Sequence, residues 1–286
     1  MLSLSHVSIA YPSRRPGVAG FFGATSPREV VHDVSFTLGE GETLGLVGES
    51  GCGKTTLARA IMGLVPLLSG TISFNAKSRK NEKPTSPENP KFRNSEIPAP
   101  QKPECRDSGI SECRPSGIPA QMVFQDPFSS LNPRLTVLDL LSEAAVVHGL
   151  WPKAEREDRA RALLADVGLP PDILLRYPHA FSGGQRQRLN IARALSLEPR
   201  LLVCDEPVSA LDVSVQAQVL NLLADLQKKR GLSMLFITHD LAVVRHVAHT
   251  IAVMQSGRIV EMGPADQVLS SPQHPYTKTL LAASLD

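Results

Sequence analysis

Residues 48–55, Gly48-Glu49-Ser50-Gly51-Cys52-Gly53-Lys54-Thr55, fit the pattern G-x-x-x-x-G-K-[ST] at every fixed position. Glycines at these spacings let the backbone turn successive N–H groups inward at a polyphosphate. Lys54 would then reach the β- and γ-phosphates, and the Thr55 hydroxyl would ligate Mg²⁺. An apolar run, Leu44 to Val47, precedes the loop and reads as a buried strand. A helical stretch from Thr56 to Met62 follows, with Gly63 as its stop, and the helix N-terminus adds partial positive charge at the phosphates. Strand, loop and helix in this order point to a nucleoside triphosphate site. A glycine-rich turn of purely structural purpose is the bland alternative.

Further polar groups fall at the ends of apolar runs, where open α/β sheets hold their ligands. Ala120 to Gln125 reads as a strand ending in an amide, and Leu201 to Cys204 as a buried strand ending in Asp205-Glu206. Met234 to Ile237 ends at Thr238-His239-Asp240. An aspartate there suits the outer shell of Mg²⁺, and the adjoining Glu206 is free to polarise a water. His239 could hydrogen-bond a γ-phosphate. Acidic pairs also cap helices, and a strand-end histidine is often simply solvated. Taken with the loop, the set points to phosphoryl transfer to water. Phe181-Ser182-Gly183-Gly184-Gln185 opens a helix through Leu197, with Ser182 as N-cap and free N–H groups for a second anion.

The elements that must position these groups alternate as β and α. Residues 2–9 and 30–38 read as strands of an N-terminal β layer, and Gly70 to Phe74 adds another. Tyr11, at the end of the first strand, is either an edge tyrosine or a ring able to stack on a base. Thr136 to His148 and Lys153 to Val167 read as the two helices of a small helical subdomain. A helix from Ser214 to Arg230 places Val215, Val219, Leu222, Leu223 and Leu226 on one face, and Asp240 to Ala248 reads as helical. Ile251 to Met254 turns through Ser256-Gly257 into Ile259-Val260-Glu261, and Pro264 opens a last helix before the tail.

Residues 76–118 interrupt this order with seven prolines, nine Lys/Arg and six Asp/Glu among few apolar residues. A disordered surface insertion is expected, carrying a near-repeated octapeptide (103–110 and 111–118). Cys105 and Cys113 lie in it; no His or further Cys completes a tetrahedral metal set. Of the four cysteines, Cys52 sits in the loop, where a helix N-terminus would lower a thiol pKa and make it reactive; a small residue merely tolerated there is the alternative. No apolar run approaches the ~20 residues of a membrane span, and Ser3, Ser5, His6 and Ser8 break up the start of the sequence, so no signal peptide is expected. The net charge of +2 is too small to argue for nucleic acid.

Together these motifs resemble the ATP-binding subunit of ABC transporters over essentially the whole chain except 76–118. Gly48 to Thr55 is similar to its Walker A loop, Gln125 to its Q-loop glutamine, and Ser182 to Gln185 to its signature, with Phe181 where leucine is more usual. Leu201 to Glu206 resembles Walker B with the catalytic glutamate, Ser209 to Asp212 the D-loop, His239 the switch histidine and Tyr11 the adenine-stacking aromatic. The resemblance implies a P-loop NTPase core with an N-terminal antiparallel β layer and an inserted helical subdomain, an α/β fold. The core would comprise 1–75, 119–125 and 182–262, and the helical subdomain 126–181.

It implies ATP bound by Tyr11, Gly48 to Thr56 and Gln125, with Mg²⁺ on Thr55, Gln125 and Asp205. Lys54, Glu206 and His239 would be catalytic, and Ser182 to Gln185 with Asp212 would act across a head-to-tail dimer with a copy or a paralogue. Val123 to Pro133 and His274-Pro275-Tyr276-Thr277 are similar to the peptide and nickel importer branch, whose C-terminal extension would be 263–286. That branch implies two permease subunits, a substrate-binding protein acting indirectly, no nucleic acid, and a place on the cytoplasmic face of the inner membrane. The chain stops at Asp286 without a cysteine cluster, so no iron–sulfur cluster is expected. An importer for nickel or glutathione, soluble ABC ATPases of DNA repair or translation, a scaffold ATPase of phosphonate breakdown and a plain phosphotransferase are the competing readings. The soluble ATPases of repair or translation usually carry a long coiled coil or two cassettes, and a phosphotransferase has no need of Ser182 to Gln185.

Overall fold

The computed structural model describes residues 1–11, 28–74 and 120–283. The insertion 76–118 with Cys105 and Cys113, the Gly/Pro/Arg-rich stretch after Tyr11 and the last residues of the C-terminal extension lie outside the described residues.

Apolar strands form a six-stranded sheet. Its strands are β3 (Thr43–Val47), β5 (Ala120–Val123), β6 (Leu201–Asp205), β7 (Ser233–Thr238), β8 (Thr250–Gln255) and β9 (Arg258–Pro264). Their order is β5-β6-β7-β3-β8-β9, parallel except for the antiparallel β8–β9 hairpin. The inner members β3, β6 and β7 are buried on both faces, and the edge strand β9 is only partly covered. The period-2 alternation of strand side chains divides each strand between two apolar cores. Leu201, Val203, Leu235 and Ile237 face one core, and Leu202, Cys204, Met234 and Phe236 the other.

The first core is closed by a three-stranded antiparallel sheet, β2-β1-β4, formed by β1 (Leu2–Tyr11), β2 (Arg28–Leu38) and β4 (Ser69–Phe74), together with helix α1 (Lys54–Ile61). The second is covered by α4 (Gly183–Leu195) and α5 (Val213–Arg230). It runs without a break into α2 (Val137–Val147) and α3 (Arg156–Asp166), so Leu140, Leu141, Leu163 and Leu164 share one apolar cluster with Phe236. A third cluster lies at the β8 end, beneath α6 (Leu241–Val247), α7 (Ala265–Ser270) and α8 (Pro275–Ala283).

Local chemistry explains most boundaries. Thr136 caps α2 by accepting from the Asp139 N–H, and Asp240 caps α6. Gly231 ends α5 and Gly63 follows α1, both left-handed. Several expected limits move. The helix after the loop begins at Lys54 rather than Thr56, and β5 ends at Val123, leaving Gln125 beyond the ladder. Lys153 to Glu155 form a 3-10 turn ahead of α3. On α5, Val219, Leu220, Leu223 and Leu226 are buried, whereas Val215 and Leu222 pack only at the margin. The tail expected after α7 contains a further helix, α8, because Tyr276 anchors it in the third cluster.

Candidate functional site

The loop 48–53 joins β3 to α1 at the carboxyl end of the central sheet. Gly48 has no room for a side chain: a Cβ there would stand 2.1 Å from the Met254 carbonyl oxygen. Gly53 takes φ 110, a left-handed value that favours glycine, with Val30 and Met254 against it. The Gly257 N–H, from the β8–β9 turn, donates to the Cys52 carbonyl at 2.9 Å. Lys54 is buried and folds back on the loop, donating from Nζ to the carbonyls of Gly48 (2.6 Å) and Glu49 (2.9 Å). Glu49, Ser50 and Gly51 are exposed, and Thr56 is half-buried on the first turn of α1.

Beside the loop, the Thr55 hydroxyl donates to Asp205 Oδ1 at 3.1 Å. Burial raises the Asp205 pKa; the Thr55 hydrogen bond opposes it, the Glu206 charge adds to it, and Arg59 and Lys54 nearby lower it. Glu206 follows at φ 48, a left-handed value for a residue with a Cβ, worth about 1–3 kcal/mol of local strain. Its N–H donates to the Ile237 carbonyl at 2.9 Å, which fixes the unusual conformation. The carboxylate is then flanked from two sides. Gln125 Nε2 donates to Oε2 at 2.9 Å, and His239 Nδ1 lies 3.4 Å from Oε1. The ends of β5, β6 and β7 therefore converge on one carboxylate next to the phosphate-type loop.

Among the described residues, no group of three or more His, Cys, Asp and Glu could hold a metal by itself. One hydroxyl, one buried carboxylate and an amide suit a hard cation that takes its other oxygens from phosphates and water.

Tyr11 ends β1, partly exposed, opposite Arg28, a few residues from the Val30–Val31 segment that touches Gly53. Ser182 caps α4 in a reciprocal capping box: its hydroxyl accepts from the Gln185 N–H, and Gln185 Oε1 accepts from the Ser182 N–H. Gly183 and Gly184 supply the remaining first-turn amides. Gly184 has no space for a Cβ, which would meet Val215 Cγ1 at 2.4 Å, so the start of α4 packs on the start of α5, where Asp212 is the N-cap. Asp212 and the following Val213 are exposed. Among the described residues, no hydrogen bond joins this second group to the loop.

One expectation is corrected. The Cys52 pKa is raised rather than lowered: burial of the thiol outweighs the attraction of Lys54 and the hydrogen bonds around it. Two contacts escaped sequence reasoning. The Tyr276 hydroxyl accepts from the Glu49 N–H at 3.1 Å, and Gly257 holds the Cys52 carbonyl. The first joins residues 227 apart, and only the tyrosine's place in a recognisable tail motif hinted at it.

Residues 31–209 match the family model described as ABC transporter, and residues 260–286 the one described as oligopeptide/dipeptide transporter, C-terminal region. The chain is 45% identical over 270 residues to the oligopeptide transport ATP-binding protein OppF of Escherichia coli (strain K12), an alignment spanning 94% of this chain and 73% of that protein. It is 46% identical over 259 residues to OppF of Bacillus subtilis (strain 168), spanning 89% and 76%. The fold is similar to the ATP-binding cassette MJ0796 in a dimeric post-hydrolysis state bound to ADP and Pi (TM-score 0.68, 24% identity, 93% of this chain and 99% of that one). It is also similar to cbiO1 from Clostridium perfringens, part of the ABC transporter complex cbiONQ (TM-score 0.69, 24% identity, 94% and 90%).

Proposed function

The chain belongs to the ABC transporter family of ATP-binding subunits, and from that premise we propose that it is the ATPase of an importer for oligopeptides. The observation that carries this reading is the presence, in one chain, of both the ATP-binding region and the C-terminal region of oligopeptide/dipeptide transporters. ATP would lie with its phosphates on the amides of Gly48 to Thr56 and its base toward Tyr11. Lys54 would leave the carbonyls of Gly48 and Glu49 for the phosphate oxygens.

Thr55, Asp205 and Gln125 would hold Mg²⁺, which supplies charge neutralisation at the β- and γ-phosphates. Glu206 would accept hydrogen-bond donation from the attacking water and take up its proton. Gln125 and His239 orient that carboxylate, and His239 would also face the γ-phosphate. Ser182 to Gln185 and Asp212 would close over ATP held by a second subunit, a copy or a paralogue. That assignment gives the second anion site a phosphate.

No helix of the described residues is long and apolar enough to cross a membrane. Coupling would run through two permease subunits, contacted by Gln125 and the helical segment 126–181, at the cytoplasmic face of the inner membrane; a substrate-binding protein would deliver the peptide. ATP-driven closure of the two ATPase subunits would then pull on the permeases. The test is to tag the chain in its native cell, solubilise the membranes and identify what co-purifies. Two multi-span permease subunits, and uptake of a labelled peptide that stops when the chain is deleted, are expected. Recovery with soluble enzymes, with the chain absent from the membrane fraction, would refute the importer reading.

A further inference from the structure

Tyr276, the second residue of α8, is nearly buried (9% exposed) among Val47, Leu241, Val244, Ile251 and Val253. Its ring fills this cluster while its hydroxyl accepts the Glu49 N–H at 3.1 Å. The carbonyl of the same residue takes Lys54 Nζ at 2.9 Å. Glu49 is thus gripped at both its N–H and its carbonyl, by the C-terminal extension on one side and by the loop lysine on the other.

The base of this contact is itself tied down. Glu261 on β9 accepts the N–H groups of Gln273 (2.9 Å) and His274 (3.0 Å), and His274 Nδ1 accepts the Tyr276 N–H at 3.2 Å. Burial raises the Glu261 pKa, and the backbone hydrogen bonds from Gln273 and His274, with the attraction of His274, act against it, leaving the carboxyl below its ordinary value. Burial in turn raises the phenol pKa. The far part of the loop has other braces, Gly257 on Cys52 and Val30 against Gly53. Its near part has Tyr276.

We propose that Tyr276 is a positioning residue for ATP binding: the C-terminal extension is a strut whose hydroxyl fixes the Glu49 peptide and holds the glycine-rich loop in its phosphate-binding shape. This rests on the reading of residues 48–56 as the ATP site. A loop with left-handed glycines at positions 51 and 53 loses conformational freedom on binding, and prior ordering removes part of that cost.

Tyr276→Phe keeps the ring and removes only the acceptor. In the full chain, with ATP and Mg²⁺ as the probe, the ATP dissociation constant and KM should rise about 3- to 10-fold, the size expected for one hydrogen bond. The turnover number should stay within about 2-fold, since the water-polarising groups are left alone, and the melting temperature should fall by no more than about 2–4 °C, since the packing is kept and one hydrogen bond is lost. Glu261→Gln, which loosens the seat of α8 without touching the loop, should raise KM in the same direction by less. An unchanged KM in both variants, with the wild type binding ATP normally, would overturn the strut and leave the ATP site standing. Failure of the wild type to bind ATP would instead refute the site beneath it.

Discussion

At the scale of single residues, burial reverses the simplest reading of the loop thiol. A cysteine in a glycine-rich turn before a helix attracts the expectation of an activated thiolate, but Cys52 is 8% exposed and desolvation dominates its electrostatics. Alkylation by iodoacetamide at pH 7.5 should therefore be slower at Cys52 than in free cysteine by about 10-fold or more, and slower again under saturating ATP. Cys204, fully buried with its pKa pushed up to about 12, should not react in the folded chain. Peptide-resolved mass spectrometry over a time course reads both rates. Faster labelling of Cys52 than of free cysteine would show that the Lys54 charge, rather than burial, governs the thiol. The type and spacing of residues 48–55 disclosed the loop, because backbone shape and a lysine are written locally. Whether a side chain there is desolvated depends on residues such as Met254, which shares its apolar cluster but is far away in sequence, and was not legible.

At the scale of elements, helix ends were easier to read than helix contacts. Ser182, Thr136 and Asp240 act as caps because each short polar side chain reaches an amide two or three residues ahead, a purely local event. Helix α8 and the tie between α3 and α5 are different, since each depends on partners far along the chain. Asp166 at the end of α3 is bound by Lys229 and Arg230 in the last turn of α5. Burial raises its pKa, and the hydrogen bonds from Lys229 and Arg230 outweigh it, leaving the carboxyl below its ordinary value. A depressed folded pKa gives stability that is present above the unfolded value and lost as pH falls through the folded one. Asp166→Asn should lower stability by about 1–2 kcal/mol at pH 7, discounted for the exposure of Lys229. In denaturant melts, the gap between variant and wild type should shrink below about pH 4. A gap that persists to pH 2 would mean that the carboxylate's charge is not what holds α3 to α5.

At the scale of the whole molecule, the sheet order brings the ends of β5, β6 and β7 and the loop after β3 to one edge. The order of strands and motifs along the sequence anticipated that convergence, because parallel strands send their carboxyl ends the same way. It did not disclose how Glu206 is aimed. That follows from a left-handed backbone held by the Ile237 carbonyl and from Gln125 and His239 meeting one carboxylate, all supplied by neighbouring strands. The strut proposed from α8 belongs to the same scale, since α8 reaches back to the start of the glycine-rich loop after β3.

The central claim is that this edge hydrolyses ATP with Glu206 as the group that takes the proton from water. Its most direct test is the single-turnover rate at which bound ATP becomes ADP on the purified full chain, compared between wild type and Glu206→Gln. The account predicts a loss of at least about 100-fold, the usual scale of general-base catalysis, with ATP still bound at near wild-type affinity. Turnover at the wild-type rate in Glu206→Gln would contradict it.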